Sequence, residues 1–384
     1  MKSLSEKIIS VPASGIRRFF DLVAEMDDVI SLGVGEPDFV TPWRVREAAI
    51  WSLEKGQTTY TSNYGLLELR IEIVRKMKER YGVEWNPRQE VLVTVGVSEA
   101  LDTAFRALLN PGDEVLIPEP CYVSYAPCVA FAGGVPVPVP TRADTGFRTR
   151  SGDVAALITP RTKAILLSYP TNPTGATMDA AGLQAIVDVC VQNDLYIISD
   201  EIYDRLSYDA PHVCVASLPG AYERTILLNG FSKAYAMTGW RIGYACAPAP
   251  IIEVMMKIHQ YTMLCAPITA QIGALEALRR GDRDAEEMCA DYDRRRRLFV
   301  KGLNEIGLDC PMPGGAFYAF PSVKRWDLSA EEFAERLLVE EKVLVVPGPV
   351  FGEGGTGHIR CCYATAADKL QEALRRIERF VSRL

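Results

Sequence analysis

Between residues 90 and 245 the chain repeats one pattern: a short, almost unbroken apolar run, a turn, then a stretch of helical periodicity. The apolar runs cover 90–95, 114–117, 135–139, 164–168, 195–199, 225–228 and 242–245, and helices read clearly at 98–109 and 180–193. Strands that are apolar at nearly every position are buried on both faces, and intervening helices let successive strands run parallel. The pattern predicts an α/β fold with a mainly parallel sheet between helices. Upstream, Thr41-Pro42 reads as the N-cap and first residue of a helix, and 66–81 as a charged amphipathic helix. Past residue 280 the texture changes. A long charged helix (282–306) leads to a strand-like run of small and aromatic residues (314–320), a helix (330–340), two short strands (343–346 and 358–363) and a closing helix (367–384). The expected division is an N-terminal arm with part of a small domain (1–40), a large domain (41–280) and a smaller α+β domain (281–384).

Charge and composition exclude several function classes. Lys and Arg number 42 against 49 Asp and Glu, a net charge of −7, so a nucleic-acid partner is not expected. The basic run 294–297 follows Glu286, Glu287, Asp291 and Asp293 and reads as a solvated helix face. The uncharged stretch 120–141 carries Pro120, Pro127, Pro136, Pro138, Pro140 and Gly133-Gly134, too many breakers for a membrane span. The first fifteen residues include Glu6 and no long apolar core, so no signal peptide is expected and a cytoplasmic location follows. Ten cysteines without a CxxC pair read as buried, reduced thiols. His212, His259 and His358 stand at no ligand spacing, so no metal site is expected.

In open parallel sheets, ligands bind beyond the carboxyl ends of the strands. Five polar clusters fall there: Gly96-Val97-Ser98, Asn172-Pro173-Thr174-Gly175, Asp200 with Glu201 and Tyr203, Ser232-Lys233, and Arg241. Each has an ordinary structural reading. The first two suit turns, Asp200 suits a helix N-cap, Lys233 suits a surface charge, and Arg241 suits an ion pair. Yet free N–H groups at a helix start also form a phosphate seat. Together the clusters ask for a ligand with a phosphate, an electrophile for a lysine and a basic site for an aspartate. Pyridoxal phosphate meets all three requirements.

The segment Ser232-Lys233-Ala234-Tyr235-Ala236-Met237-Thr238-Gly239-Trp240-Arg241-Ile242-Gly243 resembles the lysine signature of the class I/II aminotransferases, in the aspartate aminotransferase fold family. Leu32-Gly33-Val34-Gly35-Glu36-Pro37-Asp38, Asn172-Pro173-Thr174-Gly175 and Ser199-Asp200-Glu201-Ile202-Tyr203 match the same family in order, over nearly the whole chain. The likeness is closest to the prokaryotic branch of aspartate, aromatic and acetyl-diaminopimelate aminotransferases. The resemblance implies a fold-type I enzyme whose large domain binds pyridoxal 5'-phosphate. It would exchange an amino group between an amino acid and a 2-oxo acid by a ping-pong mechanism.

Roles follow from the same resemblance. Lys233 would hold the cofactor as a Schiff base and shuttle the proton, which needs a pKa lowered by burial and a nearby cation. Asp200 would keep the ring nitrogen protonated, Tyr203 and Asn172 would bond the phenolate oxygen, and Tyr122 would stack on the ring. Arg241, Ser98 and the amides of Gly96 and Val97 would hold the phosphate. Tyr60 would reach that phosphate from a neighbouring subunit, so a homodimer with shared sites is implied. Arg360 would clamp the substrate carboxylate, a task for which its planar fork suits it, with Asn172 and the Gly35 N–H beside it. Ile16 would contact the substrate side chain or simply pack. A cis bond at Asn172-Pro173 is also implied.

Two departures stand out. Gly230 occupies a position where a phosphate-binding serine is common, which leaves the role of Ser232 open. No residue matches the arginine that recognises dicarboxylic substrates in one branch. A carbon–sulfur β-lyase on the same scaffold would use the same lysine and aspartate. A non-catalytic regulator would need a fused DNA-binding module, which is not expected ahead of Leu32. A nicotinamide dehydrogenase fits poorly, because Gly33-Val34-Gly35 lacks the third glycine and precedes a proline, not a helix.

Overall fold

The apolar runs become strands within two residues of the expected limits in a computed structural model that describes residues 3–9, 11–12, 15 and 26–384. In chain order they are β1 (Ile30–Ser31), β2 (Val91–Thr94), β3 (Glu114–Glu119), β4 (Val135–Pro140), β5 (Thr162–Ser168), β6 (Tyr196–Asp200), β7 (Thr225–Gly230), β8 (Gly243–Cys246), β9 (Tyr318–Ala319), β10 (Val343–Leu344), β11 (Val346–Pro347) and β12 (Ile359–Cys362). Seven form one sheet in the order β2-β8-β7-β6-β5-β3-β4. From β7 through β4 every pair is parallel, whereas β8 runs antiparallel to both its neighbours. That exception arises because the 231–242 loop turns the chain straight back, with no crossover helix.

Side chains alternate across the sheet with period two. Ile165, Leu167 and Ile197 pack on one face with Leu183, Ile186 and Val187 of the Ala180–Gln192 helix. Ala164, Leu166 and Ile198 pack on the other with residues of the Gly96–Leu108 and Ala249–Thr262 helices. Covering both faces is what allows the strands to be apolar throughout. Each fully buried Ile or Leu contributes roughly 1.5–3 kcal/mol relative to exposure.

Beyond residue 280, β11, β12 and β9 form a small antiparallel sheet, and β1 pairs parallel with β10. The helices Asp282–Ile306, Ala330–Glu341 and Ala367–Val381 cover these strands, and Ile30 and Leu32 share a core with Phe299, Phe333, Leu337 and Ile377. The Ala330–Glu341 helix starts at a capping box between Ser329 and Glu332.

Two local expectations are corrected. Thr41 caps no helix: the helix is Trp43–Glu54 and Pro42 holds the N-cap position. The Thr41 hydroxyl instead donates to the Ala236 carbonyl at 2.6 Å and accepts from the Trp240 indole at 3.0 Å, so a tertiary bond displaces the local one. Of the 314–320 run only β9 forms, because the Gly315 and Ala316 amides donate to the carbonyls of Gly175 and Leu206 in loops. None of the ten cysteines is in a disulfide; seven are buried and three half-buried. Among the described residues no helix is long and apolar enough to cross a membrane.

The sheet brings its functional edge into register. Ser168 lies opposite Asp200, Asp200 opposite Leu228, and both Thr94 and Gly230 opposite Gly243.

One carboxylate ties the long Asp282–Ile306 helix to the Leu67–Tyr81 helix and to the turn after β6. Asp282 accepts from Lys76, from Arg80 at 2.5 Å and from Arg205 at 2.9 Å. Burial would raise its pKa, but the bonds from Lys76 and Arg205 and the charge of Arg80 outweigh it and hold the carboxyl well below its ordinary range. A carboxyl depressed in the folded state adds stability above its unfolded pKa and loses it as the pH falls. Asp282→Asn is expected to cost about 2–3 kcal/mol at pH 7, less than a fully buried pair because Asp282 is partly exposed. Urea unfolding should show that gap narrowing below about pH 4, and equal stabilities at pH 7 would contradict it.

Candidate active site

Turns at the shared strand edge open into a cleft of about 580 Å³. At one end, β2 gives way to the Gly96–Leu108 helix. Gly96 has φ +75°, a region glycine enters freely. A Cβ there would lie 2.6 Å from Nη2 of Arg241, so only glycine lets the guanidinium close over the helix start. Gly243 permits the same approach from the sheet, since its Cβ would come within 2.7 Å of the Gly96 and Val97 backbone. Arg241 is itself left-handed, φ 52°, a strained state for a non-glycine residue. Its Nη1 donates to the Thr238 carbonyl at 3.0 Å, and Val97, Ser98 and Arg241 line the same cleft. Free first-turn amides, a hydroxyl and a guanidinium form a donor set that fits a phosphate.

Asp200 ends β6 and is buried. Its Oδ2 accepts from the Tyr125 hydroxyl at 2.8 Å and its Oδ1 from the Ile202 amide at 3.2 Å. Burial pushes the carboxyl up to about 6, against those two bonds. Both donors are neutral, so a cationic ligand group would complete the site. Lys233 follows β7, half-buried, and its Nζ donates to the Gly35 carbonyl at 2.6 Å. Burial lowers its pKa to about 8, with Arg360 and Arg241 pushing the same way and Cys362 and Glu36 opposing.

The opposite wall is built by Arg360 of β12, also buried. Nη1 donates to Asn172 Oδ1 at 3.0 Å and Nη2 to the Gly33 carbonyl at 2.5 Å. Its guanidinium lies between the rings of Tyr318 and Phe351, at 4.7 and 4.8 Å from their centroids. The buried Nε has no partner, so the group retains donor capacity for an anion. The Tyr203 and Tyr318 hydroxyls share a 2.8 Å bond, and burial raises both phenols.

The sequence-derived residues Gly35, Val97, Ser98, Tyr122, Asn172, Asp200, Tyr203, Ser232, Lys233, Arg241 and Arg360 all line this cleft. Gly96 lies beneath Arg241 rather than in the wall, Tyr60 stands 80% exposed outside it, and Ile16 falls outside the described residues. Asn172-Pro173 is cis, as the resemblance implied. Sequence reasoning missed Tyr125, which meets Asp200, Tyr318, which covers Arg360, and Glu36, which accepts from the Thr238 hydroxyl at 3.1 Å. Glu36 lies within the 32–38 motif, whereas no local pattern singles out either tyrosine.

The family model described as aminotransferase class I and II matches residues 27–377. A Bacillus subtilis protein named "Putative aminotransferase YugH" is 55% identical over 98% of both chains. An aspartate aminotransferase of Pyrococcus abyssi is 47% identical, again over 98% of both. The crystal structure of an aromatic aminotransferase from Pyrococcus horikoshii matches with a TM-score of 0.92 and 46% identity, over 96% of this chain and 99% of that one.

The Lys233 amine should titrate near 8 rather than at the ordinary 10.5. Labelling with an amine-reactive probe across pH, read residue by residue by mass spectrometry, checks this. A midpoint at Lys233 equal to that of exposed lysines would contradict it.

Proposed function

Because the chain belongs to the class I and II aminotransferases and transfers amino groups, we propose that its cleft works with pyridoxal 5'-phosphate, on which this family generally depends. One observation carries the reading: a single cleft gathers a lysine lowered to about 8, a buried carboxylate and a glycine–arginine anion seat. When bound, the cofactor would supply an aldehyde that captures amines and a protonated ring that takes up electron density.

The chain's own residues do the rest. Lys233, its amine lowered to about 8, would hold the aldehyde carbon with loss of water and, when released, would carry a proton on Nζ. The Gly35 carbonyl holds that amine in the cleft. Asp200 would accept the ring N–H, Tyr203 and Asn172 would bond the phenolate oxygen, and Tyr122 would cover the ring face. Val97, Ser98 and Arg241, with Gly96 leaving room, would hold the phosphate, and Ser232 lines the same cleft. Arg360, its fork oriented by Asn172 and Gly33, takes the carboxylate of the amino acid or 2-oxo acid, with the Gly35 amide as a further donor. The relatives named above are aminotransferases, and none points to the carbon–sulfur lyase.

The same reading divides the chain into a cofactor-binding part, 41–280, and a smaller part, 281–384 with the segment before 40, that presents Arg360. It also takes the working unit as a homodimer. Trp51, Tyr60 and Tyr261 are 52%, 80% and 86% exposed, and Trp51 borders a groove of about 940 Å³ with Ile268, Ile272 and Leu275. A second copy covering that face would bring Tyr60 to its partner's phosphate seat. The acidic net charge and free thiols fit a cytoplasmic location.

Mixing cofactor-loaded protein with single amino acids tests the function. The visible band of the lysine-bound cofactor should fade as pyridoxamine phosphate forms, and a 2-oxo acid should restore it. Pyruvate release from cystathionine without a 2-oxo acid acceptor would favour the lyase instead. Arg360→Lys should raise KM for both substrates about 10- to 100-fold, the worth of a hydrogen bond to a charged group, and an unchanged KM would remove Arg360 from the carboxylate site. Sedimentation should give a dimer, and a fully active monomer would overturn the shared-site reading.

A further inference from the structure

Asp200 does not stand by itself at the end of β6. The hydroxyl of Tyr125, first residue of the Tyr125–Phe131 helix, lies 2.8 Å from Asp200 Oδ2 and 3.0 Å from Ser168 Oγ. Ser168 ends β5 and is the residue opposite Asp200 in the parallel ladder, so sheet register fixes the distance between them. A phenol carries one proton. Since an ionised carboxylate can only accept, Tyr125 must donate to Asp200 and accept from Ser168. The chain of bonds therefore has one direction: Ser168 to Tyr125 to Asp200. The tyrosine is 2% exposed, and its ring meets Tyr122 edge-on at 5.5 Å. Burial holds the phenol far above its ordinary value, so it stays a donor at any working pH.

We propose that Tyr125, oriented by Ser168, is a positioning residue that fixes the Asp200 carboxylate and keeps the shared proton on the cofactor's ring nitrogen rather than on Asp200. The inference rests on the reading of Asp200 as the partner of that nitrogen. Oδ1 is taken by the Ile202 amide and Oδ2 by Tyr125, so both oxygens are pinned. Each donated bond makes the carboxylate a weaker base. A weaker base leaves the proton on nitrogen, where the ring draws electrons best. The other groups acting on Asp200 are Glu201, its neighbour on the chain, which raises its proton affinity, and Lys233, from the loop after β7, which lowers it. Neither is altered by a change at Tyr125.

The test uses the full-length enzyme loaded with pyridoxal phosphate labelled with ¹⁵N in the ring, its nitrogen signal followed by NMR across pH. In the parent the ring nitrogen should be protonated at neutral pH; an unprotonated nitrogen there would sink the Asp200 reading itself, and this proposal with it. With that signal in place, Tyr125→Phe should shift the shared proton from the ring nitrogen toward Asp200, lowering the ratio of N–H to bare nitrogen at neutral pH about 10- to 100-fold, the worth of one hydrogen bond to a charged group, so that the nitrogen signal moves toward its unprotonated position. Ser168→Ala should move it the same way by less. A nitrogen signal at neutral pH unchanged in Tyr125→Phe, with the visible cofactor band retained, would overturn the proposal. Should Tyr125→Phe fail to fold, Ser168→Ala decides: a signal moved toward the unprotonated position supports the chain of bonds and an unmoved one refutes it. A role in packing would change unfolding temperature but not the ring-nitrogen signal.

Discussion

Fixed register at one edge of the sheet is the constraint on which the cleft depends. Ser168, Asp200 and the end of β7 come level because β5, β6 and β7 are parallel and paired without slippage. A shift by one residue would turn every side chain of a strand to the opposite face and bury Asp200 in the core. β8, running back against β7, starts at that same edge and so returns Arg241 to it. Glycine at 96 and 243 then lets guanidinium, helix start and strand crowd together where any side chain would collide.

Burial acts on the two titrating groups in opposite senses with one outcome. It drives the Lys233 amine down and the Asp200 carboxyl up, so both lie within reach of neutrality, at about 8 and about 6. A planar fork of donors suits Arg360 and Arg241 to the anion-holding roles proposed for them. Arg360 is fixed by partners far away in sequence: Gly33 is 327 residues distant and Asn172 is 188. Closing that ring of contacts requires the small antiparallel sheet and the segment near residue 30 to be built together, as their shared core shows.

Much of this was legible in the sequence. The strands were, because burial on both faces leaves apolar runs that need no context. Lys233, Asp200 and Arg241 were, because a simple rule places ligands beyond strand ends, and the family resemblance supplied roles that spacing left open. What could not be read were bonds between distant residues. Thr41 looked like a cap, but its hydroxyl is engaged 195 residues away. Nothing local to Tyr125 or Tyr318 says that one phenol meets a carboxylate 75 residues on while the other meets a phenol 115 residues back. The run at 314–320 had strand composition, yet the amides of Gly315 and Ala316 found loop carbonyls, and only Tyr318 and Ala319 pair with a neighbouring strand.

The account turns on Lys233 being the amine that carries the cofactor beside Asp200. Borohydride reduction of the purified, cofactor-loaded protein would make that linkage permanent, and peptide mass mapping would locate it. The expected result is a pyridoxyl mass on the peptide containing Lys233 and on no other. A pyridoxyl group on a different lysine, or none on a protein that nonetheless transaminates, would contradict it.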